Sequence, residues 1–396
     1  MSNGDVSDLI ETIASIGKSN PSFPELHRLY PFKHYYLPDH TLDRGSLDER
    51  DGLVTRRELL LRFLVLNAVI DQGPELLGVR ELLYKVTNDL YLREIRFLHK
   101  PLSFFQELGI AIDRILTQHE SVKSARAEIW AADNQSNASR YNLFIDNSRQ
   151  VLSYAVFRWG VPLALPLLLE KDNTREVVQP FVLLDYLQSW PSSEEMSQQL
   201  KDNERYGLGK AIGDKACHLF TKWMVSSFRL TQRLELSWGD LSYEVPYDSN
   251  AGRVLWRTGY LLKWSDEKSY ISRQVVQPGA GKGGANYIRV TNIRDMKATT
   301  ELSSHYKTLY DDISINFLKS HKRTPKKVAI QRIQHAYLLD SYHISGLGVA
   351  EFDEGLIHIG TNYCFNHSDP LCDHCPVNHL CEGFNINQEL INNYRT

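Results

Sequence analysis

The sequence predicts a mainly α protein. Apolar residues recur at helical spacing along most of its 396 residues, and the two-residue period of a strand shows in one short stretch. Glycine, proline and Asn/Ser clusters break the helical stretches at intervals suited to connecting turns.

Residues 54–70 (VTRRELLLRFLVLNAVI) open at Thr55, a capping residue type, and carry apolar side chains on nearly every face. That pattern predicts a buried helix. Residues 78–95, 101–131, 142–170 and 176–190 continue in helical register. Residues 192–206 are polar and helical and run into the glycine-containing turn YGLGKAIGDKA (206–216). CHLFTKWMVSSF (217–228) then resumes the helix. Residues 232–247 (QRLELSWGDLSYEVPY) alternate like a β-hairpin with Gly239-Asp240 at its turn. The stretch 268–292 contains QPGAGKGGANY, which reads as a loop and lacks the GxxxxGK[ST] spacing of a phosphate-binding loop. Helix returns over 299–360.

Hydrophobic residues make up 42% of the chain, enough for one large or two medium domains. The net charge is −3, so overall basicity announces no nucleic-acid partner, and a phosphate-binding surface must arise from local segregation of charge. One such stretch runs from Ile313 to Leu339, where Lys319, Lys322, Arg323, Lys326, Lys327 and Arg332 meet no acidic residue. The chain start has no basic segment followed by a long apolar run, and no apolar run is long enough to span a membrane. Four of the five cysteines are clustered, whereas a disulfide framework would spread them. A monomer in a reducing, cytoplasmic compartment is the expectation.

Those four are Cys364, Cys372, Cys375 and Cys381, spaced C-x7-C-x2-C-x5-C. Four thiolates on one tight loop can hold a zinc ion or an iron–sulfur cluster, and the spacing alone leaves both open. The surrounding text, LIHIGTNYC-FNHSDPLC-DHC-PVNHLC, closely resembles the cluster-binding C-terminus of the helix-hairpin-helix DNA glycosylases, in their endonuclease III-like and adenine-glycosylase branches. In that family an apolar helix ending in glycine leads into the first cysteine. Pro-x-Cys leads into the second, as in Pro370-Leu371-Cys372, and Cys-Pro-hydrophobic stands at the third, as in Cys375-Pro376-Val377. The family's first spacing is usually x6, against x7 here. The resemblance implies a [4Fe–4S] cluster that shapes a loop.

Two further segments extend the resemblance. The family hairpin reads roughly L-P-G-V-G-x-K-T-A, and residues 209–217 read GKAIGDKAC. Gly213 and Lys215 fall into place, and Ala211 stands at the first hairpin glycine. The family's V-D-T-H-V-x-R-V-x-x-R-x-G-L is matched by YDSNAGRVLWRTGY (247–260), with Asp248 at the aspartate and Arg253, Arg257 and Gly259 in register. The segment FLVLNAVIDQG (63–73) resembles the helix that carries the family's gap-filling glutamine, with Asn67 and Gln72 near that position.

The resemblance implies a two-lobed fold. A helical barrel would cover 55–262, with the helix-hairpin-helix at about 192–228 and a small β-hairpin insertion. The N-terminal residues 1–54 would join 263–396 as the cluster domain. It also implies a base-excision repair enzyme acting on double-stranded DNA: an N-glycosylase with abasic-site lyase activity that flips out a damaged or modified base. Lys215 would be the amine nucleophile, and Asp248 would stabilise the developing positive charge on the sugar. Gly213, Ala211, Gln72, Asn67, Arg253, Lys322, Arg323, Lys326 and Lys327 are the expected DNA contacts. Three other readings stand beside this one: a glycosylase for a naturally modified or foreign base, a monofunctional glycosylase, and a non-catalytic iron–sulfur scaffold that only holds duplex.

Overall fold

The computed structural model describes residues 3–71, 76–135, 143–147, 150–154, 159–173, 181–246, 249–259, 276–280, 286–290, 345–365, 369–388 and 391. The chain opens with α1 (Asn3–Ser19), followed by the short antiparallel pair β1 (Arg50–Asp51) and β2 (Val54–Thr55). Helices α2 (Arg56–Ile70), α3 (Leu76–Leu92), α4 (Pro101–Leu108), α5 (Ile112–His119) and α6 (Val122–Gln135) come next. The hairpin β3 (Leu143–Asn147) and β4 (Gln150–Tyr154) precedes α7 (Gly160–Asn173), α8 (Val182–Gln188), α9 (Ser193–Asp202) and α10 (Asp214–Lys222). A π-helical turn over Trp223–Ser227 extends α10. The last elements are α11 (Ser249–Arg257), the hairpin β5 (Val276–Ala280) and β6 (Asn286–Val290), α12 (Val349–Asn362) and α13 (Glu382–Asn385). Among the described residues the protein is mainly helical, and no helix is long and apolar enough to cross a membrane.

Two compact units result: Phe23–Arg233, and Met1–Ser22 joined to Leu234–Thr396. The sequence reading placed these divisions later, at 54/55 and 262/263. Residues 23–54 belong with the first unit because they pack on α2 and α3. The Phe32 ring meets Phe63 edge-on at 5.6 Å, and the Glu25 amide donates to the Tyr84 hydroxyl at 2.8 Å. α11 belongs with the second unit because it packs on α12.

Other elements also differ from expectation. Residues 101–131 form three helices, because Gly109 and Glu120 turn left-handed at φ 72° and 55°. Residues 142–170 were expected as helix, yet β3 and β4 pair there in antiparallel register, Leu143 opposite Tyr154 and Asn147 opposite Gln150, before α7 begins. The hairpin expected over 232–247 is absent. A 3-10 turn occupies Leu236–Trp238, and 241–246 are buried at consecutive positions, which no half-exposed strand allows. Strands β5 and β6 instead pair across the Gly-rich stretch read as loop. α1 was not foreseen, although Leu9, Ile10, Ile13, Ala14 and Gly17 mark one buried helical face.

The first unit is built around α2, whose residues 57–70 are all buried. Thr55 caps it by accepting the Glu58 amide at 3.3 Å. The Glu58 carboxylate accepts the Leu183 and Leu184 amides at 2.9 and 3.0 Å, at the start of α8, and the Arg62 guanidinium at 3.0 Å. Arg62 in turn donates to the Leu98 carbonyl at 3.0 Å and to Glu170 at 2.7 Å. Burial pushes the Glu58 carboxyl up, and Arg62 opposes it. These bonds offset the large desolvation cost of a buried ion pair.

A second polar cluster anchors β1. Asp51 accepts the Tyr35 hydroxyl at 2.5 Å and faces His99 Nε2 at 3.1 Å, while Tyr91 bonds the other ring nitrogen of His99 at 2.9 Å. The hydrogen bond from His99, seconded by that from Tyr35, holds the Asp51 carboxyl well below the usual carboxylate range against the opposing effect of burial. Its stabilisation is therefore present above the unfolded-state pKa of about 3.9 and is lost as pH falls through the lower folded-state value. In urea unfolding, Asp51→Asn should lose about 1 kcal/mol at pH 7, and its gap to the unmodified protein should close in strong acid.

The second unit depends on a close approach of α1 to α12. A Cβ on Gly355 would stand 1.9 Å from the Ile13 carbonyl oxygen, and one on Gly17 1.8 Å from that of Glu351. Any side chain at either position forces the two backbones apart. Beyond α1, Ser22 closes the contact by donating its amide to the buried Glu354 at 2.8 Å. Gly355→Ala should destabilise this unit by about 3 kcal/mol or more in urea unfolding, whereas Gly45→Ala, with only Asp43 Oδ1 nearby at 3.5 Å, should have little effect.

Candidate functional site

α12 ends at Asn362 and delivers the chain directly to Cys364, whose amide bonds the Ile359 carbonyl at 2.8 Å. Cys372 starts a 3-10 turn over Cys372–His374 and Cys375 ends it, with the Cys375 amide on the Cys372 carbonyl at 3.1 Å. A second such turn, Asn378–Leu380, leads to Cys381, the N-cap of α13. All four cysteines line one cavity of about 370 Å³ of empty volume, part of it open to solvent. Its other walls include Val254, Ile359, Val377 and Phe384. Among the described residues, no three of the four sulfurs lie within 4.8 Å of one another.

Burial pushes the thiols of Cys375 and Cys381 up, to about 11 and about 12, and the neighbouring cysteines add to the shift; Cys372 is raised for the same reasons. The fifth cysteine, Cys217, is buried in α10 and apart from this set.

α11 holds the cysteine loop in place. Arg253 and Arg257 are four residues apart, so they share one face of the helix. Arg253 is 4% exposed and donates to the Gly360 carbonyl at 2.7 Å, to Asn250 Oδ1 at 2.6 Å and to the Cys364 carbonyl. Arg257 donates to the Phe365 carbonyl at 2.8 Å and lies 3.4 Å from the Cys364 sulfur. The Cys381 thiol approaches the Arg257 carbonyl at 3.4 Å, and the Glu382 amide bonds the Thr258 carbonyl at 3.1 Å. The expectation that Arg253 contacts DNA is corrected here, because its guanidinium is enclosed and committed to carbonyls of the cysteine segment. Asp248 lies outside the described residues; α11 begins immediately after it, at Ser249.

The hairpin belongs to the other unit. α9 starts at a Ser192 cap, which accepts the Glu195 amide at 3.1 Å, and α10 starts at Gly213, which offers no side-chain cap. Lys215 is the second residue of α10 and is half-buried; the preceding Asp214 pairs with Lys201 at 2.6 Å. The turn between the helices is a 3-10 turn over Gly209–Ala211. Its left-handed residue is Gly209, at φ 58°. Ala211 is 4% exposed and its amide already bonds the Leu208 carbonyl at 3.2 Å, so Ala211 does not serve as the expected phosphate contact. Gly213 is exposed.

Asn67 is fully enclosed in α2, and neither atom of its amide has a hydrogen-bond partner. A residue that fills a gap in duplex DNA must project from the surface, so Asn67 is removed from that role. Gln72, Lys322, Arg323, Lys326 and Lys327 lie outside the described residues.

No family model, curated protein or solved structure matches this chain. Removing the anchor on α11 checks the scaffold directly. Arg253→Ala should destabilise the cysteine-bearing unit by about 3 kcal/mol in thermal or urea unfolding, since it orphans several buried acceptors. A phosphate-contacting arginine would instead leave stability unchanged.

Proposed function

We propose that this protein is a DNA N-glycosylase with abasic-site lyase activity, carrying a [4Fe–4S] cluster on Cys364, Cys372, Cys375 and Cys381. The observation that carries the reading is the convergence of those four cysteines on one cavity, held by the helix that starts directly after Asp248. That convergence ties together the two segments in which the sequence most resembles the helix-hairpin-helix glycosylases.

The donor set fits the cluster. Four soft thiolates suit either iron–sulfur or zinc. A single tetrahedral zinc with bonds of about 2.3 Å draws its sulfurs to roughly 3.8 Å of one another. The choice of cluster over zinc rests on the flanking sequence, which resembles the cluster-binding segment of the glycosylases. Apolar walls limit water at the sulfurs, and among the described residues lining the cavity Arg257 is the one cationic side chain, where it offsets the negative charge of the thiolates. When bound, the cluster serves to fix the loop and takes no part in the reaction.

In the chemistry that follows, Lys215 supplies the amine. Its nitrogen attacks the sugar carbon that bears the base, the glycosidic bond breaks, and the base departs with the bonding electrons. The sugar ring then opens at its C1′–O4′ bond as the amine loses its proton, which gives a Schiff base and permits β-elimination of the 3′ phosphate. The Asp248 carboxylate stabilises the positive charge that develops on the sugar. A position in the first turn of α10 favours loss of a proton from the attacking amine, because the helix dipole there opposes positive charge.

The substrate is a duplex bearing a damaged or modified base, and the finer choice of base belongs to a screen of lesions. Borohydride reduction on abasic-site duplex should trap a covalent adduct that Lys215→Gln abolishes. Asp248→Asn should lower base release by about 10²–10⁴-fold. Base release that persists in Lys215→Gln, with no adduct in the unmodified protein, would establish a monofunctional enzyme instead. The purified protein should be brown and contain about four irons per chain; a colourless protein with one zinc would refute the cluster.

A further inference from the structure

The third helix of the 101–131 segment, α6, has no assigned role in the reading above. It lies directly against the hairpin turn. The Val122 amide donates to the Arg205 carbonyl at 3.0 Å, and the Arg205 guanidinium returns a bond to the Glu120 carbonyl at 2.8 Å. These bonds fix the start of α6 to the loop that enters the turn. A Cβ on Gly209 would stand 2.7 Å from the Arg126 guanidinium and 3.1 Å from Lys123 Cγ. Glycine suits the left-handed φ there, and these two side chains stand beside it.

Lys123 and Arg126 are three residues apart on one helical face, and Lys210 stands next to Gly209 in the turn itself. Lys123 and Lys210 are exposed and Arg126 is half-exposed. None of the three side chains has an ion pair or hydrogen bond to the described residues. The neighbouring carboxylates are already engaged: Asp214 with Lys201 at 2.6 Å, Asp172 with Arg205 at 2.6 Å, and Glu128 with His119. Glu120, Asp202 and Glu204 lie on the adjoining segments, and none forms an ion pair with the three. Three uncompensated cations around one backbone turn repel each other unless an anion joins them.

We infer that Lys123, Arg126 and Lys210 form a phosphate-binding surface for the sugar–phosphate backbone of duplex DNA, with α6 extending the grip of the hairpin. This rests on the DNA-directed function proposed above. Arg126 can engage a phosphate with two parallel hydrogen bonds, while Lys123 and Lys210 act as point charges beside it. Such contacts position the duplex and carry no sequence information.

The test is fluorescence anisotropy with a duplex containing a stable abasic-site analogue, across a series of salt concentrations. Lys123→Gln with Arg126→Gln should weaken binding by roughly tenfold to a hundredfold at low salt and lower the slope of log affinity against log salt by about one to two units. Arg126→Lys with Lys123 intact should largely keep the slope, and Lys85→Ala, an exposed lysine on α3, should match the unmodified protein. Melting curves confirm that each variant is folded. If the double variant keeps both affinity and slope while borohydride still traps the adduct, this inference falls and the proposed function stands. If the unmodified protein binds no duplex, both fall.

Discussion

Gly17 and Gly355 let two helices from opposite ends of the chain approach to backbone contact, and the cysteine-bearing unit depends on that approach. Van der Waals contact between backbones is worth little per atom, but it is rigid, since no side chain is present to yield. α12 is thereby fixed along its length. Because α12 feeds Cys364 two residues after its end, the position of the first thiol follows from how an N-terminal helix docks. A segment that looks dispensable in the sequence becomes a wall of the unit that carries the metal-binding residue type.

α12 uses its other side in the same manner. A Cβ on Gly360 would stand 2.8 Å from Asn250 Cβ, so α11 also rests directly on it. At that contact Arg253 bonds the Gly360 carbonyl and Asn250 together and continues to Cys364. Small residues create the close contact and a buried guanidinium then satisfies the carbonyls that the close contact would leave without water. Arg257, one turn on, repeats the arrangement at Phe365 and the Cys364 sulfur. The start of α11 and the cysteine loop are thus one mechanical piece, and a change at either end is transmitted by short hydrogen bonds.

Much of this was legible in the residues and some was not, for identifiable reasons. The buried α2, its Thr55 cap and the break before α10 follow from local periodicity and capping, which are short-range properties. The cysteine convergence followed from spacing and flanking text. Arg253 was misread because the spacing that put it in register with a motif says only which helical face it occupies, and packing decides whether that face meets solvent or protein. Ala211 was misread as a DNA contact because alignment with the family hairpin says nothing of burial, and the turn encloses this residue. The hairpin at 143–154 was missed because strands of five residues are too short for their period to stand out against the helical spacing around them.

The two units solve the burial of charge in different ways. In α2, Glu58 and Arg62 neutralise each other and are used up: carboxylate and guanidinium both end on backbone groups of α8 and the Leu98 loop. Such a network fixes which helices pack together and offers nothing to a ligand. Beside the cysteines, Arg257 faces the Cys364 sulfur and the Phe365 carbonyl. Burial raises the Cys372 thiol, and the Arg257 charge opposes that rise. A group held by the four thiols would couple its own binding to the order of this loop, because the thiols must lose their protons and come together to hold it.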